Sequence, residues 1–142
     1  MENIWKQKFT IKDFNDFVQN SIVGYLGIVL TEKGSDFLKG TMPVDKKTVQ
    51  PHGILHGGAS VVLAETLGSA ASSMAVDDQH YTVGMEVNAN HIKSVTKGIV
   101  TGTAKPVHLG NTTQVWDITI KNEKGQLTCI SRLTMAVLKT KR

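Results

Sequence analysis

Hydrophobic and polar residues alternate along much of the C-terminal half of the chain, which is the pattern of half-buried β-strands. The alternation is clearest from Val83 to Asn90, where apolar residues occupy the odd positions. Short polar connections separate this segment from three further strand-like segments, and connections of that length join antiparallel neighbours. The pattern therefore predicts an antiparallel meander of strands over residues 83–90, 98–107, 114–121 and 127–139.

The N-terminal half predicts helices as well as strands. Apolar residues recur every three or four positions after Thr10, which can cap a short helix through Ile11, Phe14, Phe17 and Val18. Strands over residues 25–30 and 37–42 follow, and a loop is expected between Pro43 and Pro51. Residues 59–75 predict the only long helix. These elements predict an α+β domain in which that helix covers one face of an antiparallel sheet.

The long helix carries one charged residue, Glu65. An apolar stripe of Leu63, Leu67, Ala70 and Met74 should lie on the sheet, and Glu65 lies about 200° around the axis from Leu63. The face around Glu65, which includes Ser69 and Ser72, lacks the several ions of an ordinary exposed face. No lysine or arginine occurs between Lys47 and Lys93. We therefore expect this face to contact a partner subunit or a ligand, with Glu65 as the candidate base.

The long helix starts at a pair of glycines, Gly57 and Gly58. Backbone N–H groups at a helix start lack intrahelical partners, and such donors can stabilise the negative oxygen that forms when a carbonyl is attacked. Glu65 lies about 10 to 12 Å further along the helix axis. We therefore expect a site shared between two copies of the chain, with the donors from one copy and the carboxylate from the other. The free edge of the sheet invites such pairing.

Composition and charge exclude several classes of protein. The 142 residues predict a single domain over residues 1–142. The net charge of +4 is compatible with a nucleic-acid partner. However, the sixteen basic residues are scattered along the chain, and aromatic residues make up only 6% of it. We therefore expect no nucleic-acid binding. No apolar run reaches the roughly 18 residues of a membrane span, so we expect a cytoplasmic protein without a membrane partner.

The sequence gives little support for other classes of reaction. His52 and His56 have the spacing of a metal pair, but they lie on a predicted loop without an acidic ligand. The single cysteine, Cys129, alternates with apolar residues and is expected in the core. We expect neither a metal nor a cofactor. The remaining candidates suit attack on an activated acyl group, and they are Glu65, Gln50 and the glycine pair. Nearby cations at Lys93, Lys97 and Lys105 suit an acyl carrier that bears phosphates.

Residues 50–65, QPHGILHGGASVVLAE, resemble the signature of the PaaI-type hotdog-fold acyl-CoA thioesterases. The resemblance extends over most of the chain, through residues 4–6, 42–45, 88–91, 105–110 and 114–116. It implies a hotdog fold, in which a curled antiparallel sheet wraps one long helix. It also implies paired hotdogs that assemble as a homotetramer, a dimer of dimers, and hydrolysis without a metal or cofactor.

Within this family, the chain is most similar to the branches that hydrolyse aromatic thioesters in menaquinone and enterobactin synthesis. The resemblance implies that Glu65 is the nucleophile or general base, and the family leaves open which it is. Gly57 would supply the oxyanion N–H. Gln50 and His56 would orient the thioester carbonyl or the attacking water, and Ser69 would position the acyl group or that water.

The resemblance also implies a groove for the CoA arm, with Lys93 near the nucleotide phosphates. The implied groove residues are Gly84, His91, Ile92, Lys93, Ser94, His108, Leu109, Gly110, Asn111, Thr112 and Thr113. The expected substrates are aromatic acyl-CoA thioesters of the dihydroxynaphthoyl or hydroxybenzoyl type. Alternatives are an acyl group on an acyl carrier protein, a hotdog dehydratase, and a non-catalytic module that binds acyl-CoA. An enzyme is favoured because a sensor has no need of a lone carboxylate.

Overall fold

A computed structural model describes residues 2–141 of the chain. The elements in chain order are α1 (Ile11–Phe17), α2 (Ile22–Tyr25), β1 (Val29–Lys33), β2 (Leu38–Val44), α3 (Gly57–Met74), β3 (His80–His91), β4 (Gly98–Leu109), β5 (Thr113–Lys121) and β6 (Leu127–Lys139). The predicted long helix, the predicted Thr10 cap of α1 and the four C-terminal strands are confirmed. None of the helices in residues 2–141 is long and apolar enough to span a bilayer.

Two predictions about the N-terminal half are wrong. Of the predicted strand over residues 25–30, Tyr25 belongs to α2, residues 26–28 connect α2 to β1, and only Val29 and Leu30 lie in a strand. Ser21 caps α2 by accepting a hydrogen bond from the Val23 N–H. A short apolar run does not distinguish helix from strand by its periodicity. Pro43 lies inside β2 rather than at the start of a loop. A proline is tolerated there because β1 begins at Val29, opposite Thr41, so β1 does not pair with Pro43 and does not need the missing N–H.

The predicted meander is confirmed for β4, β5 and β6, which are consecutive antiparallel neighbours, but the predicted place of β3 beside β4 is wrong. The six strands form one antiparallel sheet in the order β1-β2-β4-β5-β6-β3. β3 pairs with β6 at the sheet edge, and β4 pairs with β2 and β5. Residues 92–97 can span about 20 Å when extended, and they pass the start of α3, where the Val95 carbonyl accepts a hydrogen bond from the Leu55 N–H. A short connection therefore joins two strands that are not neighbours.

Helix α3 packs closely on the sheet. The predicted stripe of Leu63, Leu67, Ala70 and Met74 is buried, as expected. Gly40 and Gly102 lie opposite each other in β2 and β4, and the methyl groups of Leu67 fill the space over both. A Cβ atom would lie 2.7 Å from a Leu67 methyl carbon at position 40 and 2.5 Å at position 102. The absence of side chains at these two positions lets the helix approach the strands.

The sheet covers α3 on more than one of its faces. Ser72, predicted to share the face of Glu65, is fully buried, and its hydroxyl donates a 2.7 Å hydrogen bond to the Gln114 side-chain oxygen. The same oxygen accepts a 3.0 Å hydrogen bond from the Trp116 indole. Helix α3 contacts β2, β3, β4, β5 and β6. Because strands approach the helix from several sides, helical periodicity alone could not separate its buried face from its functional face.

We predict that Gly102→Ala lowers the free energy of unfolding by about 1 to 3 kcal/mol, because the added methyl group overlaps Leu67 in a filled core. Leu67→Ala should cost about 2 to 5 kcal/mol by opening a cavity. The double variant should lose less than the sum, since each change relieves the other. Chemical denaturation of the four proteins measures these values, and strictly additive losses would contradict the proposed close contact.

Candidate active site

A groove of about 720 Å³ lies between α3 and the N-terminal segment. On the side of α3 its lining includes Val62, Glu65, Ser69 and Ala70. The opposite side is apolar and aromatic, and consists of Phe9, Phe14, Phe17, Val18, Ile22 and Val23. Glu65 is the one charged residue in the lining. Apolar grooves with a few convergent polar groups are the usual form of small-molecule sites.

Glu65 is partly buried where this groove meets the edge strand β3. A Cβ atom at Gly84 would lie 3.1 Å from Glu65 Oε1, so the carboxylate lies against the bare backbone of β3. Among residues 2–141, no lysine, arginine or histidine forms an ion pair with Glu65. The carboxylate is therefore free to accept a proton or to attack an electrophile.

Ser69 lies one turn beyond Glu65 on α3 and lines the same groove. Its hydroxyl contacts the Met135 sulfur at 3.9 Å, and Met135 is paired with Gly84 between β6 and β3. The fold therefore brings together three predicted site residues, Glu65, Ser69 and Gly84. A hydroxyl beside the carboxylate can hold a water molecule or a polar substituent of a ligand.

The start of α3 leaves one backbone donor available. His56 is the N-cap, and its Nδ1 atom accepts a 2.8 Å hydrogen bond from the Gly58 N–H. The His56 carbonyl accepts hydrogen bonds from the Ala59 and Ser60 N–H groups. Within residues 2–141, the Gly57 N–H has no such partner. It is therefore the N–H group of the first turn that is able to bind a ligand oxygen.

A second groove of about 270 Å³ opens beside that donor. Its lining contains six of the predicted site residues, namely Gln50, Gly57, His91, Ile92, Lys93 and Ser94. The Gln50 side-chain oxygen accepts a hydrogen bond from the His52 N–H, which leaves the Gln50 amide nitrogen as a donor. A Cβ atom at Gly57 would lie 2.7 Å from His91 Nε2, so the imidazole is packed on this glycine.

The described chain does not combine the two grooves, because they share no lining residue. The predicted groove residues 108–113 comprise the end of β4, the connection over residues 110–112 and the first residue of β5, and they line neither groove. They lie near the sheet end that contains Gly84, and His91 lies about 23 Å further along β3. Of the predicted cations only Lys93 lines a groove, while Lys105 lies over the Phe37 ring.

Cys129 is buried in β6, as expected for a core residue. Burial raises the pKa of its thiol above the ordinary value, so the nucleophilic thiolate is disfavoured at neutral pH. Residues 2–141 contain no cluster of three or more histidine, cysteine, aspartate or glutamate side chains that could hold a metal ion. The expectation that neither metal nor cofactor takes part stays a prediction.

Comparison with known proteins assigns the chain to a family. Residues 52–129 match the model of the thioesterase superfamily. The chain is 50% identical over 135 residues to the 1,4-dihydroxy-2-naphthoyl-CoA hydrolase of Escherichia coli, covering 95% of this chain and 99% of that protein. It is 47% identical over 135 residues to the proofreading thioesterase EntH of Cronobacter sakazakii, covering 95% of this chain and 98% of that protein.

The solved structures agree with this assignment. A thioesterase from Haemophilus influenzae superposes with a TM-score of 0.94 at 46% identity, covering 96% of this chain and 95% of that one. A mutant thioesterase from Pseudomonas aeruginosa also superposes with a TM-score of 0.94, at 48% identity, covering 96% of this chain and 99% of that one. The chain belongs to the thioesterase superfamily. It is a hydrolase with the hotdog fold, which confirms the predicted fold and class of enzyme.

The aromatic side of the first groove is the part of the site that the sequence pattern did not predict. Phe14 and Phe17 were predicted as part of a helical apolar stripe, which is usually core. In the structure none of the α1 residues is fully buried, and Phe17 is 81% exposed. The signal available in the sequence was three phenylalanines within nine residues, Phe9, Phe14 and Phe17, in a chain with few aromatics.

We predict that Gly84→Ala lowers kcat for thioester hydrolysis by about tenfold or more, because the methyl group would displace the Glu65 carboxylate and small misplacements are costly to catalysis. The melting temperature should change little, since Gly84 is exposed. Thr31→Ala, at an exposed position of the opposite edge strand β1, is the control. An unchanged kcat, or a fall matched by a loss of folded protein, would contradict the assigned contact.

Proposed function

We propose that the chain hydrolyses aromatic acyl-CoA thioesters to the free acid and CoA. The observation that carries this proposal is the first groove, where one carboxylate lies opposite an apolar wall with three phenylalanines. A flat aromatic acyl group fits such a lining, and the carboxylate lies where its thioester carbon would sit. The name of the similar E. coli protein supports a substrate of this type, and the name of the C. sakazakii protein supports thioester hydrolysis.

Glu65 drives the reaction in either of two roles. As a general base, it takes a proton from water while the water oxygen bonds to the thioester carbon, and the carbonyl electron pair moves onto oxygen. Collapse of this intermediate breaks the carbon–sulfur bond, and the departing CoA thiolate takes the proton from Glu65. As a nucleophile, Glu65 displaces the thiolate to form a mixed anhydride, which water then hydrolyses. Both routes give one carboxylic acid and one thiol.

The second groove supplies the groups that bind the carbonyl. The Gly57 N–H donates to the carbonyl oxygen and holds its developing negative charge, with the positive end of the α3 dipole behind it. The Gln50 amide nitrogen donates to the carbonyl or to the attacking water, and His56 fixes the helix start through its bond to Gly58. Ser69, in the first groove, positions the acyl group or the water.

Two copies of the chain complete the site. Glu65 and Gly57 open into different grooves of one chain, so both reach one carbon only if the carboxylate and the donor come from different copies. The 12-residue strand β3 is at the sheet edge, and its residues Tyr81, Val83 and Met85 are exposed. A long apolar edge invites pairing with another chain. We therefore place the dimer interface along β3, with two such dimers forming a tetramer.

The CoA arm lies in the second groove, along His91, Ile92 and Ser94. Lys93 at its rim meets the nucleotide phosphates as a point charge. Residues 108–113 complete the arm's path in the assembled dimer. An acyl group on a carrier protein presents the same phosphopantetheine arm but has no nucleotide for Lys93, so this position favours CoA. A preference for the CoA thioester over the carrier-protein thioester that depends on Lys93 would distinguish the two substrates.

We predict that Glu65→Gln lowers kcat for benzoyl-CoA by about 10² to 10⁴-fold, because the amide neither accepts the proton nor attacks the carbonyl. The matched control is Glu32→Gln, which changes an exposed carboxylate of β1 at the opposite edge of the sheet. Release of free thiol measures turnover. Loss in Glu65→Gln with retention in Glu32→Gln supports the proposal. Equal activity of Glu65→Gln and the wild type, or tight binding of benzoyl-CoA by the wild type without turnover, contradicts it.

A shared site predicts complementation between two inactive chains. When Glu65→Ala and His56→Ala chains are unfolded, mixed in equal amounts and refolded together, about one quarter of the sites should receive both intact groups. Thiol release should then recover to about that fraction, while each variant refolded alone stays inactive. No recovery from mixed oligomers, verified by two different affinity tags, would show that each chain works alone.

A further inference from the structure

The N-terminal segment supplies half of the first groove. Residues between Gln7 and Val23 form the wall opposite α3, and all of the lining residues there except Gln7 are apolar. This segment lies outside residues 52–129, the part that matches the thioesterase superfamily model. The wall that faces Glu65 therefore lies in a part of the chain that the family model does not describe.

Side-chain hydrogen bonds to backbone groups fasten this wall to the domain. The Asn15 side-chain oxygen accepts a 2.9 Å hydrogen bond from the Leu30 N–H, and its nitrogen donates a 3.0 Å bond to the Leu30 carbonyl. Asn15 thus pairs with the edge strand β1 as a further strand would. At the N-terminal end of the wall, the Gln7 side chain donates to the Val76 carbonyl at 2.8 Å. The wall is therefore attached at its start and at its middle, and Phe14 and Val23 also pack against the hydrophobic core of the domain.

We propose that this wall, residues 7–23, selects the acyl group, and that Phe14 and Phe17 favour substrates with an aromatic ring at the thioester carbonyl. This inference rests on the proposed function and adds to it a set of specificity residues. Glu65 on α3 fixes the position of the reacting carbon, so an acyl group bound there extends toward the phenylalanines. Phe17 is 81% exposed in the free chain, and a bound ring would cover part of that surface.

Selectivity between two substrates tests the wall directly. The measurement is kcat/KM for benzoyl-CoA divided by kcat/KM for acetyl-CoA. In Phe14→Ala and Phe17→Ala this ratio should fall by about tenfold or more, since one or two lost methylene-sized contacts already change selectivity by that factor. Phe37→Ala is the matched control, because Phe37 lines neither groove. An unchanged ratio in both wall variants, or equal losses for both substrates, would overturn the inference.

The tether provides a second test at a residue that does not line the groove. Asn15→Leu removes both hydrogen bonds to Leu30 at similar side-chain size, and should lower the same ratio by releasing the wall. Asn15→Asp keeps the acceptor and should retain more of the wild-type ratio. A structural role alone would reduce the melting temperature and both substrates together, and that result would count against Asn15 as a positioning residue for the wall.

Binding of a substrate analogue separates this inference from the proposed function. S-phenacyl-CoA has a phenyl ketone but no thioester bond, so calorimetry can measure its affinity without turnover. Phe14→Ala and Phe17→Ala should bind it about tenfold more weakly than the wild type, and Phe37→Ala should match the wild type. Wild-type binding without any thioester hydrolysis would overturn the proposed function alone. Hydrolysis by the wild type with equal analogue affinity in all variants would overturn the wall alone.

Discussion

Enclosure of helix α3 by the sheet decides where each candidate site residue lies. The helix approaches β2 and β4 over the bare backbone of Gly40 and Gly102, and its apolar stripe fills the space above them. Strands on several sides then bury most of its small residues. Glu65 is the helix's one ionisable side chain, and it emerges where the edge strand β3 meets the groove. A carboxylate in such uncharged surroundings keeps its reactivity for a bound ligand.

The same enclosure separates the two halves of the proposed chemistry. The donor at the start of α3 opens toward one groove, and the carboxylate opens about two turns later toward another. Glycines mark both halves, since Gly57 lies under the His91 imidazole and Gly84 lies under the Glu65 carboxylate. A rigid helix cannot bend one half onto the other. The proposed association of two chains along the exposed edge strand β3 would unite a donor of one copy with a carboxylate of the other.

Sequence patterns predicted the elements better than their arrangement. The capping box at Thr10, the stripe from Leu63 to Met74 and the alternating C-terminal strands are local signals, and the structure contains all of them. The order of the strands depends on the path of residues 92–97, which connect β3 to β4 past the start of α3. The hydrophobic periodicity of the sequence contains no information about that path. The lone charge of α3 identified Glu65 from sequence. The aromatic wall could not be predicted from the sequence, because an apolar stripe on a short helix has the same pattern whether it faces the protein core or a ligand.

The central claim is that an aromatic acyl group occupies the space between Glu65 and the N-terminal wall while its carbonyl is held by Gly57. A crystal structure of the protein with bound S-phenacyl-CoA tests this most directly. We expect the phenyl ring to lie against the N-terminal phenylalanines. The ketone oxygen should accept a hydrogen bond from the Gly57 N–H of one copy, and Glu65 of a second copy should lie beside the ketone carbon. A ring bound elsewhere, or a ketone that contacts Gly57 with no carboxylate nearby, would contradict it.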